Sequence, residues 1–167
     1  MEEHWEKVCN VLDVLAYIVK DLESERVELY FTISTQNKTS TTTTALLELL
    51  YGKSHKGCAD INLRLNEIID KYKTKLEHNP PKILSYLKKE QSIRPLNLYI
   101  LTDGVWETQS RPDSLIISLV QKLLKHDKTR QQVGIQFISF GSHPLGLDRM
   151  RKLDSELRGD RKEEEWL

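Results

Sequence analysis

The chain has 167 residues, of which 30% are charged and 38% hydrophobic, as in an ordinary globular domain. Lysine plus arginine and aspartate plus glutamate balance at 25 each, which argues against a protein built to bind nucleic acid or an anionic membrane. Its two cysteines, Cys9 and Cys58, form no CxxC pair and supply no disulfide framework.

The first part of the chain predicts a helix followed by a strand. Apolar residues recur at steps of three and four from Trp5, which predicts an amphipathic helix that ends near Leu22. The same stretch begins with acids and carries no basic leader, so a secretory signal is not expected. Val27–Ser34 is rich in β-branched and aromatic residues and predicts a strand.

A polar, threonine-rich segment, Thr35–Thr44, comes next, and its pattern leaves an edge strand and a loop as alternatives. Thr43 or Thr44 is expected to cap a short leucine-rich helix that Gly52 ends. A longer amphipathic helix follows, and the residues expected on its apolar face are Ile61, Leu65, Ile68 or Ile69, Tyr72 and Leu76.

The second half of the chain repeats the alternation of strand and helix. Prolines at 80 and 81 interrupt the preceding helix, and a short helical insertion is predicted around Ile83–Leu87. The remaining predicted elements are a strand at Leu96–Thr102, a helix that begins near Pro112, a strand at Gln132–Phe140 and a helix at Leu145–Leu157. Helices that alternate with buried strands predict a mostly parallel, doubly wound α/β sheet. We expect one domain over residues 1–157 and a charged tail over 158–167.

The candidate binding residues lie at a strand end and in an earlier loop. Ligands of open α/β sheets gather at the carboxyl ends of strands, and Asp103 and Gly104 directly follow a predicted strand. An Asp-Gly pair there serves either a ligand or only a tight turn, and spacing does not decide between them. Trp106 is either an exposed anchor for a partner or an aromatic packed beneath a loop. Cys58 and Asp60 belong to the earlier loop.

Enzyme and metal motifs are incomplete. Gly52–Ser54 imitates the end of a phosphate-binding loop, but a leucine stands where the upstream glycine is required. Gly141–His143 follows a strand without the GxSxG elbow of hydrolases. Cys58 lacks the additional ligands or the positioned base that zinc binding or nucleophilic catalysis needs. No catalytic residue and no cofactor is therefore predicted, and an enzyme that uses Asp103 with Cys58 or His143 is the least favoured alternative.

The chain resembles a von Willebrand factor type A domain. The stretches that carry the resemblance are "VELYFTIS", "GCADINLRL", "LYILTDGVWE", and "VGIQFISFG" followed by "GLDRMRKLD". The resemblance is closest to the intracellular, fungal-type versions of that family and covers Trp5 to Leu157. It implies a Rossmann-like, doubly wound sheet flanked by helices.

The resemblance also bears on metal binding. Members of the family commonly carry a metal-ion-dependent adhesion site built from a DxSxS loop, a threonine and an aspartate. Asp103 matches the aspartate, the threonine position falls on Ala59, and the DxSxS loop has no counterpart. The resemblance thus implies a degenerate site without a functional metal, since one carboxylate does not hold Mg²⁺ tightly.

The family's first, central strand has no counterpart either. Its neighbours would be Val27–Ser34 and Leu96–Thr102, which either pair directly or leave open ladders for another chain. Homodimerisation and strand donation by a partner are both open on this reading.

These observations together favour a cytoplasmic, non-enzymatic protein–protein interaction module that binds a protein partner and neither nucleic acid nor membrane. The predicted contact residues are Asp103, Gly104, Trp106, Cys58 and Asp60. The alternative is residual Mg²⁺-dependent adhesion through Asp103, and a small α/β hydrolase is less favoured.

Overall fold

A computed structural model describes residues 2–22, 27–53, 57–58, 60–77, 93–126 and 132–159. The described helices are α1 (Trp5–Leu22), α2 (Thr43–Tyr51), α3 (Ile61–Glu77), α4 (Pro112–Lys125) and α5 (Pro144–Gly159). The described strands are β1 (Val27–Tyr30), β2 (Asn37–Ser40), β3 (Leu96–Thr102) and β4 (Val133–Ser139). The helical insertion predicted around Ile83–Leu87 and most of the charged tail lie outside the described residues.

Strands β3 and β4 form a parallel pair in which Leu96 faces Val133 and Thr102 faces Ser139. Helix α4 lies between them in the chain, as a parallel connection requires. Tyr72 of α3 anchors the beginning of both strands, because its hydroxyl lies 3.0 Å from the Arg94 carbonyl oxygen and 3.2 Å from that of Gln132. The prediction of parallel strands is confirmed for this pair.

Strands β1 and β2 form a separate antiparallel pair, with Val27 opposite Ser40 and Tyr30 opposite Asn37. The prediction of one mostly parallel sheet is therefore wrong for this half of the chain. The described structure is mixed α/β with two small sheets, one antiparallel and one parallel. The physical reason is the connection: residues 31–36 are too few for a crossover and allow only a hairpin. Of the two alternatives for the threonine-rich segment, residues Asn37–Ser40 take the strand.

Strand β1 ends at Tyr30, four residues earlier than predicted. The Arg64 side chain of α3 explains the difference. Its Nε donates to the Phe31 carbonyl at 3.1 Å and its Nη2 donates to the Ser34 carbonyl at 2.6 Å. Two carbonyl groups just beyond β1 thus bond to a guanidinium group rather than to a neighbouring strand.

The helices follow the predicted periodicity closely. In α3 the buried residues are Ile61, Leu65, Ile69, Tyr72 and Leu76, which confirms the predicted face and selects Ile69 over Ile68. Pro112 is the first residue of α4, as predicted. The predicted cap of α2 is wrong by one or two positions, since Thr42 stands at the N-cap and its side chain makes no capping hydrogen bond.

Two apolar clusters hold these elements together. One joins α3 and α4 to the inner face of β3 and β4, and Ile69 and Leu119 are completely buried in it. The other joins α1, α2 and β1 through Cys9, Leu12, Phe31 and Leu50. Alternate residues of the β1 segment point to opposite faces: Phe31 packs on α1, while the Tyr30 hydroxyl lies 3.4 Å from Lys71 Nζ of α3. Helices α1 and α3 therefore flank β1 on opposite faces.

Candidate functional site

The carboxyl end of β3 closes in a tight turn. The Gly104 N–H donates to Thr102 Oγ1 at 3.0 Å, and the Val105 N–H donates to Asp103 Oδ1 at 3.0 Å. Gly104 has a φ of +74°, in the left-handed region that glycine adopts without strain. The Asp-Gly pair therefore forms a tight turn, which is one of the two roles that the sequence left open.

The Asp103 carboxyl is half-buried, and its pKa is lowered. Burial acts to raise the pKa, and the hydrogen bond from the Val105 N–H acts to lower it. Asp103 is accordingly a carboxylate at neutral pH. Its negative charge lies at the strand end where the sequence predicted a binding residue.

This lowered pKa predicts how acid affects stability. The unfolded chain takes up the Asp103 proton at a higher pH than the folded chain, so the carboxylate stabilises the fold above the unfolded pKa, near pH 4. That contribution is lost as the pH falls through the folded pKa. We expect the melting temperature of Asp103→Asn to fall less steeply than that of the wild type as the pH is lowered below about 4. Equal slopes in the two proteins would contradict the assigned charge.

A hydrogen bond between Asp60 and Ser110 connects the beginning of α3 to the loop after β3. Asp60 Oδ1 accepts the Asn62 N–H at 2.9 Å and the Ser110 hydroxyl at 2.7 Å. Asn62 Oδ1 in turn accepts the Arg111 N–H at 2.9 Å. Asp60 therefore caps the first turn of α3 and ties it to the loop at residues 103–111.

Trp106 is only 7% exposed. The Arg149 guanidinium of α5 lies 5.5 Å from the centre of its ring and donates a hydrogen bond to the Trp106 carbonyl. The same nitrogen is 3.3 Å from the Gly104 carbonyl oxygen. The hypothesis of an exposed tryptophan is thus wrong, and the alternative that Trp106 packs within the fold describes the observed position.

Cys58 is exposed, with its Sγ 4.0 Å from the Val105 carbonyl oxygen. The structure thus places all five predicted binding residues in or beside the loop at 103–111. Sequence reasoning missed Arg149 and Gly146 of α5. The Gly146 backbone lies so close to the turn after β3 that a Cβ at this position would be 2.1 Å from the Asp103 carbonyl oxygen. Both lie in the stretch "GLDRMRKLD" that carries part of the resemblance, but the sequence assigned neither a role, because both reach the site only through the packing of α5.

A cavity of about 800 Å³ opens between β1 and β3. Consecutive residues 27–33 and 95–103 line it along the two strands. Apolar side chains of α1 and α3 complete its walls, among them Leu12, Leu15, Ile61 and Leu65. Asp103 and Trp106 lie in the lining as well, so the candidate site and this cavity, called the β1–β3 cavity below, are continuous.

Three findings bear on the class of protein. Neither a protein-family model nor a curated protein nor a solved structure matches the chain. Within the described ranges, no group of three or more histidine, cysteine, aspartate or glutamate side chains is placed to hold a metal ion. Among the described helices, none combines the length and apolarity needed to cross a membrane.

Proposed function

We propose that the protein is a non-enzymatic protein–protein interaction module of the von Willebrand factor type A kind, with a Rossmann-like fold. Its contact surface is the loop at 103–111 together with Cys58 and Asp60. The observation that carries the proposal is the use of Asp103 in the turn. Its Oδ1 accepts the Val105 N–H, so this carboxylate organises the loop that forms the proposed contact surface.

The carboxylate oxygens at this strand end favour a protein contact surface over a metal-binding site. Mg²⁺ requires near-octahedral oxygen ligands and gives up its water reluctantly. Asp60 Oδ1 and Asp103 Oδ1 each accept a backbone N–H, and Asp60 Oδ1 also accepts a hydroxyl. The described residues therefore do not fit the metal-ion-dependent adhesion site of that family.

Magnesium titration tests this part of the proposal. We expect millimolar Mg²⁺ to leave the melting temperature unchanged and to produce no saturable heat in calorimetry, because one half-buried carboxylate competes poorly with water for the ion. Asp103→Ala is the matched variant. A saturable stabilisation in the wild type that disappears in Asp103→Ala would favour Mg²⁺-dependent adhesion instead.

Site-specific cross-linking tests the contact surface. Gln109 is an exposed residue of the loop at 103–111, and Glu156 is an exposed residue of α5. A photo-reactive amino acid at position 109, in cells that express the protein, is expected to capture a protein partner with or without a metal chelator. The same group at position 156 serves as the control. Equal capture at both positions, or capture at 109 only with Mg²⁺, would count against the proposal.

A further inference from the structure

We propose that the β1–β3 cavity binds a long-chain fatty acid, whose alkyl tail lies between α1 and α3 and whose carboxylate meets the Lys75 ammonium. This inference goes beyond the proposed function, because it adds a small-molecule site beside the protein contact surface. Two observations carry it: the lining of the cavity is largely apolar, and a cation lies in the lining at one end.

The size and the walls of the cavity suit an alkyl tail. Its volume of about 800 Å³ lies within the range of roughly 300–1,000 Å³ that is usual for small-molecule sites. Apolar side chains of α1, β1, α3 and β3 form the walls, among them Leu12, Leu15, Leu29, Leu65, Ile68 and Leu98. A tail that leaves water for these walls is stabilised by the hydrophobic effect.

Helix α3 runs along the cavity in the direction opposite to β3. Its beginning is joined to the loop after β3, because Asp60 accepts the Ser110 hydroxyl at 2.7 Å. Further along the helix, the Tyr72 hydroxyl lies 3.0 Å from the Arg94 carbonyl oxygen, just before β3. A position along α3 therefore marks a position along the cavity.

The two ends of the cavity differ in exposure. The lining residues at the end where α3 begins are buried, and they include Phe31, Leu50, Ile61 and Trp106. The lining residues at the end where α3 finishes are exposed, and they include Thr74, Lys75 and Pro95. An amphipathic ligand is therefore expected to place its tail at the buried end and its polar head at the exposed end.

Lys75 supplies a positive charge at the exposed end. It lies on the last turn of α3, and within the described part of the chain no carboxylate forms an ion pair with it. Lys71, one turn earlier, differs in this respect because it pairs with Glu67. The other end of the lining contains the negatively charged Asp103, which repels an anion. Charge and exposure thus favour the same orientation of a fatty acid.

Other occupants fit these observations less well. A polypeptide strand requires hydrogen-bonding partners along both borders of the cavity, but the Arg64 side chain already binds the carbonyls of Phe31 and Ser34. An uncharged lipid matches the walls and leaves Lys75 without a counter-ion. A fatty acid needs no backbone partner and supplies the anion.

The probe is palmitate, added to the full chain below its critical micelle concentration. We expect saturable binding of a single molecule per chain in isothermal titration calorimetry. Myristate, which has two methylene groups fewer, is expected to bind roughly tenfold more weakly. Binding that does not saturate, that is equal for the two acids, or that is confined to a dimer of this chain would overturn the proposal.

Fluorescence quenching tests the orientation. Trp106 lines the buried end, and so does Trp5, which packs on the cluster that contains Phe31. The chain has three tryptophans, so a Trp166→Phe variant keeps only these two. Stearate with a nitroxide near its methyl end is expected to quench their fluorescence more strongly than stearate with a nitroxide near its carboxylate. Equal quenching, or the reverse order, would refute the proposed orientation.

A lysine pair tests the position of the carboxylate. Lys75→Gln is expected to weaken palmitate binding roughly two- to fivefold. Lys125 is the matched control, because it is exposed on the last turn of α4 and does not line the cavity. Lys125→Gln is expected to bind palmitate as the wild type does. Equal affinities of the two variants would overturn the assignment of the carboxylate to Lys75.

A cavity-filling variant completes the experiment. Ala16 of α1 lines the cavity, whereas Ala45 of α2 does not. Ala16→Phe is expected to abolish palmitate binding, and Ala45→Phe is expected to retain it. Undiminished binding by a folded Ala16→Phe protein would overturn the proposal. If palmitate fails to bind to the wild type while position 109 still cross-links a partner, this inference fails and the proposed function stands.

Discussion

Gly146→Ala is expected to lower the free energy of unfolding by about 2–4 kcal/mol, at the upper end of the cost of overpacking. The added Cβ would lie 2.1 Å from the Asp103 carbonyl oxygen and 3.2 Å from the carbonyl carbon. Both atoms belong to the backbone, so no side-chain rotation relieves the contact. Either α5 or the turn after β3 has to shift, which also disturbs the hydrogen bonds from Arg149. Urea denaturation followed by circular dichroism measures the change.

Gly52→Ala is the matched control for this substitution. Its φ is −79°, and a Cβ there meets its nearest neighbours at 3.6 and 3.8 Å, an ordinary contact distance. Alanine at such a position restricts the unfolded chain and is expected to leave stability equal or raised by about 0.4–1 kcal/mol. Similar losses in the two variants would show that close approach of α5 is not the reason for Gly146.

Trp106→Ala is expected to cost about 3–5 kcal/mol, the range found when large buried aromatics are truncated. The ring is 7% exposed and lies under the Arg149 guanidinium, so its removal leaves a void and takes away the surface on which that cation rests. Thermal and urea unfolding measure the loss. Any loss of partner binding in this variant has to be corrected for the fraction of the protein that remains folded.

Two further variants calibrate the tryptophan result. Tyr51 is an aromatic residue with 65% exposure, and Tyr51→Ala is expected to change stability by less than about 0.5 kcal/mol. Trp106→Phe keeps an aromatic ring, and its loss of stability is expected to lie between those of Trp106→Ala and Tyr51→Ala. A cost for Trp106→Ala no larger than that for Tyr51→Ala would restore the exposed-anchor hypothesis.

Periodicity predicted the helices well because their stability depends on apolar faces that the sequence spells out. Every residue predicted for the buried face of α3 lies inward in the structure, apart from the choice between two adjacent isoleucines. Pro112 marked the start of α4 because proline suits the first turn of a helix. Strands β3 and β4 were equally clear, since their apolar runs pack against α3 and α4.

The length of β1 was not predictable from its own residues. Phe31, Thr32 and Ile33 have strong strand propensity, yet the Arg64 side chain, thirty or more positions along the chain, takes the carbonyls at 31 and 34. The overlong strand then concealed the hairpin. With the observed bounds, the six-residue connection from 31 to 36 would have indicated an antiparallel pair.

The sequence suggested part of the structure around the candidate site. The strand-end rule pointed to Asp103, and the turn chemistry of Asp-Gly is a local property that sequence can suggest. The burial of Trp106 depends on Arg149, which arrives from α5 more than forty positions later. Gly146 is similar, because its requirement for a missing Cβ exists only once α5 packs on the turn.

Among the described strands, β1 and β3 each have one edge without a strand beside it, and these edges bear on how the protein behaves when it begins to unfold. Exposed strand edges associate with one another and lead to aggregation. In the folded chain α1 covers this region through Cys9 and Leu12, which pack on Phe31. Detachment of α1 would uncover the β1 segment, while the α3–α4 cluster packs on β3 and β4. We therefore expect loosening of α1 to favour self-association of the protein.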